Sequence, residues 1–505
     1  MKKFTAILIA ALLVAALFVT GVSAAWDGTS TEAYTGSGTE ADPYVIDTPA
    51  KLAKIREVVA GGDNLDGKYF TQTADIDLGG KEWTPIGDAT TAFSGIYNGL
   101  DHKITGFSIT QILNLTGLFG KIIAEGNEAG VCNLTLEGAI TDNGTATFSG
   151  PSVGAIAGQV NNNSAVAGKK NAVFTNITSK VDITLNNQTK EPRAGGLFGQ
   201  IYLAVVENCV NDGNLATTSE NVIRLGGFTG QFVRCEFRGC VNNGNVTGTT
   251  STAKAVNVAG FAAYCTGPAK EADGSTVDTR ASVIENSINN GNISGESSAN
   301  VAVAAAGFIS NFYSGVGVNY CTVKNCLNAG KISAKQPDGG SSYSYAGGIF
   351  GNVPSGYDYN SSEDCVNLTP ADDIQGIGGK DVRRGAIAGA FYAPQRENNR
   401  IKNAVSIAAE ADLPMASAFS TPNTAADKET FTYGDAAKAA EKAAAIRGAI
   451  AKSLTKINGI EVTTVQQQQD PGPSNPTTGD EAVWFAIAGV VALLGTAVVI
   501  KARKA

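Results

Sequence analysis

The chain has 505 residues, a formal net charge of −8 and only 17% charged residues. An acidic balance argues against nucleic acid or an anionic membrane surface as the main partner. Sixty glycines, spread among apolar, Asn, Thr and Ser residues, exclude a disordered tail and favour a turn-rich, β-leaning fold. At the N-terminus, Met1-Lys2-Lys3 precedes an apolar run from Phe4 to Val22 and the small residues Ser23, Ala24 and Ala25. This pattern predicts a signal peptide over residues 1–25, with cleavage at Ala24 or Ala25.

Residues 26–110 read as an N-terminal cap with the first coils of a longer array. Within them Thr48 is placed to cap a helix that has Pro49 at its first position. Leu52, Ile55 and Val59 then share one helical face. An open end of stacked strands exposes backbone edges and an apolar cross-section, so a covering helix is expected there.

Residues 111–414 repeat. A Gly-apolar element recurs from Gly117, Gly154, Gly196, Gly227, Gly260, Gly307, Gly348 and Gly385. Each is followed by a second element, seen most clearly in VENCVNDGNL, FRGCVNNGNV, IENSINNGNI and VKNCLNAGKI. Aligned, its central column reads Leu134, Ile177, Cys209, Cys240, Ser287, Cys326, Cys365 and Ala404. Three places earlier stand Val131, Phe174, Val206, Phe237, Ile284, Val323, Ser362 and Ile401; two places later, five copies carry Asn. Apolar columns recurring once per copy are what stacked coils need, because each buries its inner face against its neighbours. Asn-Gly and Asp-Gly place turns, since both tolerate positive φ. Length variation at 266–280 and 336–342 reads as loops extruded from single coils. A propeller would need about four alternating strands per repeat, and that alternation is missing.

Composition shifts after Pro414. Residues 415–465 read as a helical segment, with helix from Asp435 to Leu454, that either caps the last coil or belongs to a stalk. Residues 466–479 form a polar linker kept extended by Pro471 and Pro473, and end in Asn475-Pro476-Thr477-Thr478-Gly479. Residues 480–505 follow: nineteen apolar or small residues from Ala482 to Ile500, then Lys501, Arg503 and Lys504. Nineteen helical residues are about enough to span a bilayer core, and the basic tail would stay cytoplasmic. Without these two hydrophobic ends, 33 basic and 44 acidic residues remain, a net charge near −11.

Two resemblances follow from these residues. The Gly elements and their partners resemble the GLUG repeat of bacterial surface proteins, over roughly residues 110–410. That resemblance implies an all-β fold, a right-handed parallel β-helix, with the helical cap before it. The C-terminal pentapeptide, span and basic tail resemble the LPXTG-type sorting signal of Gram-positive surface proteins, although Asn475 stands where the family has Leu. This implies cleavage by a sortase between Thr478 and Gly479, transfer of Thr478 to peptidoglycan, and membrane retention through Ala482 to Ile500 beforehand. A plain membrane anchor is the simpler alternative.

No catalytic constellation emerges. There is no His-x-x-x-His or Cys-x-x-Cys pair, so no metal or cofactor is expected. His102 reads as a turn residue, and Asp75 and Asp77 as a strand end with a following turn, with calcium as the alternative. Asp372-Asp373 and Arg383-Arg384 are the other dense charge pairs, and they do not assemble into the groove a polysaccharide lyase needs. Four of the eight cysteines share a column with Leu, Ile, Ala and Ser, which predicts buried thiols instead of disulfides. Candidate ligand-binding aromatics are Tyr313, Tyr320, Tyr343, Tyr345, Tyr357, Tyr359 and Tyr392, which concentrate in the later coils, where rings on a rigid face can stack on sugars or proteins. The expected function is a wall-anchored adhesin or ligand-display scaffold with a host or community glycan or protein as partner. A polysaccharide-active enzyme and a passive coat or stalk are the alternatives.

Overall fold

The computed structural model describes residues 25–144, 148–161, 170–267, 281–313, 318–354, 358–392, 400–416, 419–420 and 430–454. Ala24, the sorting motif, the linker and the span from Ala482 to Ile500 lie outside them. No helix among the described residues is long and apolar enough to cross a membrane.

The repeats stack as coils of a parallel β-solenoid. Val131, Phe174, Val206, Phe237, Ile284, Val323, Ser362 and Ile401 stand opposite one another in unbroken parallel register. All eight are at most 1% exposed, and so is every residue of the column from Leu134 to Ala404. Both columns therefore face the core, as the alignment requires. One continuous apolar core runs from Trp26 to Ala416. Phe228, Phe261 and Phe308 of three successive coils stack within it, with ring centroids 4.7 and 4.6 Å apart.

A polar column runs through the same interior. Asn211, Asn242, Asn289, Asn328 and Asn367 are fully buried, which is costly unless their amides are satisfied. From Asn211 to Asn328 each Nδ2 donates to the Oδ1 of the next coil's Asn, at 2.8, 2.8, 2.8 and 3.0 Å. It also donates to a carbonyl two residues ahead in its own coil, for example Asn242 to Gly244 at 2.9 Å. The ladder ends where Ser179 replaces Asn. That hydroxyl donates to the Gly196 carbonyl (3.0 Å), and Asn211 Oδ1 is left without a partner.

The ladder explains the first glycine of the repeat. A Cβ on Gly227 would lie 2.4 Å from Asn242 Oδ1 and 2.2 Å from the Gly260 carbonyl oxygen of the next coil, and one on Gly260 2.2 Å from Asn289 Oδ1 and 2.3 Å from the Gly307 carbonyl oxygen. The five coils with Asn carry Gly at this place: Gly196, Gly227, Gly260, Gly307 and Gly348. The two coils with Ala there, Ala155 and Ala386, carry Ser179 and Ser406 in place of Asn. The two sequence motifs are thus halves of one contact.

Turn placement differs from expectation. The glycines two places after Asn211, Asn242, Asn289 and Asn328 are not in the left-handed region. Gly244 is required because a Cβ would meet the Gly213 carbonyl oxygen of the preceding coil at 1.9 Å. Positive φ falls instead on the residue before the Cys column: Asn133, Asn176, Asn208, Gly239, Asn286, Asn325, Asp364 and Asn403, all between 49° and 64°. Only Asn, Asp and Gly occupy it, the residues that adopt this conformation at least cost.

At the N-terminal end, helix α1 (Pro49–Ala60) has Thr48 as its N-cap, whose Oγ1 accepts from Lys51 N at 3.2 Å. Leu52, Ile55 and Val59 are fully buried and join the main core, so α1 covers that end as expected. The C-terminal end departs from the sequence reading in three ways. Coiling continues past residue 414: Ala416 bridges Ala388 and Thr432 bridges Val405, while Leu413, Met415, Phe431 and Tyr433 close the core. Helix α2 (Ala436–Leu454) neither caps that end nor forms a stalk. Its Ala439, Ala443, Ile446 and Ile450 lie on Ile288, Leu327, Val366 and Val405, the outward residues between the Cys and Asn columns, so it straps the flank of four coils. Segment 336–342 is no extruded loop either, since strand Ile332–Gly347 passes through it.

No disulfide joins the eight cysteines, and all but Cys132 are buried. Sγ of Cys240 and of Cys326 each donates to a carbonyl of the preceding coil at 3.5 Å. Burial pushes the Cys209 and Cys326 thiols well above their usual pKa, and those of Cys235 and Cys132 to about 12 and about 11.

Two outcomes are expected. Asn289→Ala strips both neighbours of a buried partner, so it should cost about 2–6 kcal/mol, roughly twice the cost of Asn211→Ala at the ladder's end; equal and small shifts in denaturation midpoint would contradict the ladder. Cys240→Ala should cost only about 1–2 kcal/mol, whereas Cys326→Asp buries a charge and should prevent folding. Alkylation of the native protein should modify Cys132 first, and disulfide-linked peptides containing Cys209 and Cys240 would refute the thiol assignment.

Candidate functional site: the outer elbow

Outward side chains on a convex corner diverge. Here those flanking the Gly motif converge. Ser152, Arg193, Arg224, Asn257, Ala304, Tyr345 and Arg383 form one outward column, rung upon rung. Lys121, Gln159, Gln200, Gln231, Tyr264, Asn311, Asn352 and Ala390 form the second, across the bend. The two columns touch. With its Oε1 turned toward Arg193, Gln200 accepts from Nη1 at 2.7 Å. The Arg224 guanidinium lies 4.5 Å from the Tyr264 ring centroid, and Asn311 Nδ2 donates to Asn257 Oδ1 at 3.2 Å. Tyr345 and Ala390 pack with Ala304 in an apolar cluster outside the main core. The surface is therefore re-entrant along this elbow.

Electrostatics favour a ligand with acceptors. Glu191 bridges Arg224 at 2.9 Å and Arg193 at 3.5 Å, and the three side chains keep 22–29% exposure. Half-buried guanidinium planes in lowered dielectric bind planar acceptors more strongly than surface lysines do. Further along, Arg383 lies 4.2 Å from the Tyr343 ring and Lys380 5.5 Å. Guanidinium, amide and phenol groups thus recur at the rung spacing of about 4.8 Å, a row suited to an extended ligand lying along the solenoid axis.

The expected aromatics divide. Tyr343 and Tyr345 come together, with centroids 5.8 Å apart, but Tyr345 is only 9% exposed. Its ring is a packing element of the elbow, not a displayed face. Tyr313 is 56% exposed at the end of strand Ile309–Tyr313. Tyr392 ends strand Ala388–Tyr392 at the equivalent corner, while Tyr320 and Tyr359 lie in strands Val318–Lys324 and Asp358–Glu363 on its far side. Tyr357 is outside the described residues.

The other candidate groups have structural partners. Asp75 Oδ1 accepts from His102 Nδ1 (3.1 Å) and Lys103 N (3.0 Å), and Asp77 Oδ1 from Gly79 N (2.8 Å). The backbone bond from Lys103 is the main reason the Asp75 carboxyl lies below its usual pKa. Asp373 pairs with Lys331 at 3.1 Å, and Arg384 donates to the Ala371 and Asp412 carbonyls. Among the described residues no group of three His, Cys, Asp or Glu side chains could hold a metal ion. Sequence reasoning missed the elbow. Its one sequence signal was an arginine two residues before the motif's glycine pair, at Arg193 and Arg224.

No family model matches the chain. Residues of this chain align at 38% identity over 141 residues with a protein of Evansella cellulosilytica named "Putative Gly-rich membrane protein", covering 26% of this chain and 15% of that one. A second alignment, at 33% identity over 192 residues, is with "Halomucin" of Haloquadratum walsbyi, covering 35% of this chain and 2% of the other. The chain thus spans a small part of the relatives it matches. A solved Bacteroides ovatus structure, titled "putative immunoglobulin A1 protease", superposes with a TM-score of 0.41 at 16% identity, over 63% of this chain and 86% of that one.

Proposed function

We propose that this is a wall-anchored bacterial surface protein whose solenoid displays a ligand-binding face, acting as an adhesin. The observation that carries the binding reading is the elbow, where half-buried Arg193 and Arg224 stand beside the Tyr264 ring. Support for the location comes from the signal-peptide pattern, from the NPTTG motif with its apolar span, and from partial similarity to proteins named for a membrane and a mucin. Sortase and peptidoglycan are the partners this location implies. We take the coils to be right-handed, the hand that parallel crossover connections adopt.

Two experiments test the reading. Thr478→Ala should move the protein from the wall fraction to the membrane fraction, and complete detergent extraction of the wild type without wall digestion would contradict wall attachment. The secreted chain, probed on a glycan and matrix-protein array, should bind a polymeric ligand, and Arg224→Ala with Tyr264→Ala should weaken that binding about 10–100-fold, the cost of a charged hydrogen bond plus a stacked ring. Turnover of any polysaccharide on the array would favour the enzyme alternative; no binding at all would favour the passive coat.

A further inference from the structure

Cations and aromatic rings meet along the elbow at two stations of the same make-up. At the first, Arg224 lies 4.5 Å from the Tyr264 ring centroid, Arg193 stands beside it, and Glu191 bridges the two guanidinium groups. At the second, Arg383 lies 4.2 Å from the Tyr343 ring centroid, Lys380 lies 5.5 Å from the same ring, and Asp381 is 3.7 Å from Arg383. Each station thus sets two cations against one carboxylate, on a chain whose formal net charge is −8. Register puts Arg224 and Arg383 in one outward column, four rungs apart through Asn257, Ala304 and Tyr345. At about 4.8 Å per rung the two stand about 19 Å from each other.

Both stations are open to solvent. Arg193 and Arg224 keep 29% and 22% side-chain exposure, Lys380 is exposed, and Tyr264 and Tyr343 are partly exposed. A guanidinium stacked on a phenol ring uses its face there, and its in-plane N–H groups remain directed at acceptors. Between the stations both columns are uncharged: Asn257, Ala304 and Tyr345 in one, Asn311 and Asn352 in the other. The strands that carry them each pair with a neighbour on both sides.

We propose that the elbow binds an acidic polysaccharide whose charged sugars are separated by neutral ones, laid along the solenoid axis with a carboxylate or sulfate at each station. This rests on the ligand-binding reading of the elbow and adds the class of ligand. Three physical points select it. An extended acidic peptide gains most of its affinity by joining a free sheet edge, and these strands offer none. A nucleic acid or a densely charged glycan would bring anions against the uncharged stretch, where no cation meets them, and the acidic remainder of the surface would repel them. A neutral glycan would leave the excess charge of both stations unused, whereas the amides of Asn311 and Asn352 suit the hydroxyls of neutral sugars between two anionic ones.

The test is calorimetry of the secreted full-length protein with four polymers. Hyaluronate carries spaced carboxylates, keratan sulfate carries sulfates without carboxylates, polygalacturonate is densely charged, and dextran is neutral. Hyaluronate or keratan sulfate should bind most tightly, the winner deciding between carboxylate and sulfate, and binding should weaken as salt rises. With oligosaccharides of the winning polymer, affinity should climb about 10–100-fold once the chain spans the two stations, because the second contact becomes intramolecular. Arg383→Ala should remove that climb and leave the shortest binding oligosaccharide within about twofold of wild type. Lys380→Ala, a change at an exposed side chain, should lower it in the same direction and covers the case in which Arg383→Ala does not fold. Preference for polygalacturonate or dextran, affinity that ignores chain length, or indifference to the second-station variants overturns the assignment. Binding of a neutral glycan or an acidic protein that is lost on Tyr264→Ala would refute this ligand class and leave the adhesin reading in place; absence of any polymeric ligand would defeat both.

Discussion

The five middle coils of the solenoid depend on one contact, the buried Asn amide of the coil against the Cα of that coil's motif glycine. Stacked apolar rings alone fix which side chains point inward, but a slip of two residues would return the same alternation to the core. The Asn ladder forbids this. Each Nδ2 has two protons and two fixed acceptors, one in its own coil and one in the next. Such a slip would break both sets and strand buried polar groups. Glycine is the condition for this, since a Cβ at Gly227 would collide with both Asn242 Oδ1 and the Gly260 carbonyl oxygen of the next coil. Interior register therefore leaves the outer surface at liberty to vary from coil to coil.

That liberty is where function can reside. The elbow sits on backbone fixed by the core, so its side chains are held without large ordering costs on binding. Helix α2 adds to this rigidity on the flank. It runs from the last coil back along the solenoid, with Lys442 bonded to the Asn403 carbonyl at 3.0 Å and paired with Asp364 at 3.6 Å. Nineteen residues at about 1.5 Å each match the height of about six rungs at 4.8 Å, which agrees with its span over four apolar rungs and their neighbours.

How much of this the sequence revealed depended on whether a position repeats. The core columns and α1 were legible because each asks for a residue type: small or apolar at Cys240, apolar at Phe237, Thr-Pro at the start of a helix. The turn was misplaced because Asn-Gly is the stronger local signal for positive φ, yet here Asn242 points inward and Gly244 serves a close backbone approach; the true turn residue, at Asn208 or Asn286, looked like part of a polar run. The dock of α2 was visible as Val241, Ile288, Leu327, Val366 and Val405, but a lone apolar residue between two inward ones gave no sign of what covered it. The elbow was illegible because its columns change chemistry at every rung, from Arg193 to Asn257 to Tyr345. Only register brings such residues together.

The measurement that bears most directly on the account is a double-mutant cycle at the first rung of the ladder, with stability read by chemical denaturation. Gly196→Ala should be strongly destabilising, because its Cβ would lie 2.3 Å from the Gly227 carbonyl oxygen of the next coil and 2.4 Å from Asn211 Oδ1, of which the Asn211 substitution relieves only the second. Combined with Asn211→Ser, it recreates the Ala155 and Ser179 pairing of the coil before it, and the double variant should be more stable than the sum of the single effects predicts by about 1–3 kcal/mol. Strict additivity of the two substitutions would contradict the claim that glycine and asparagine are halves of one contact.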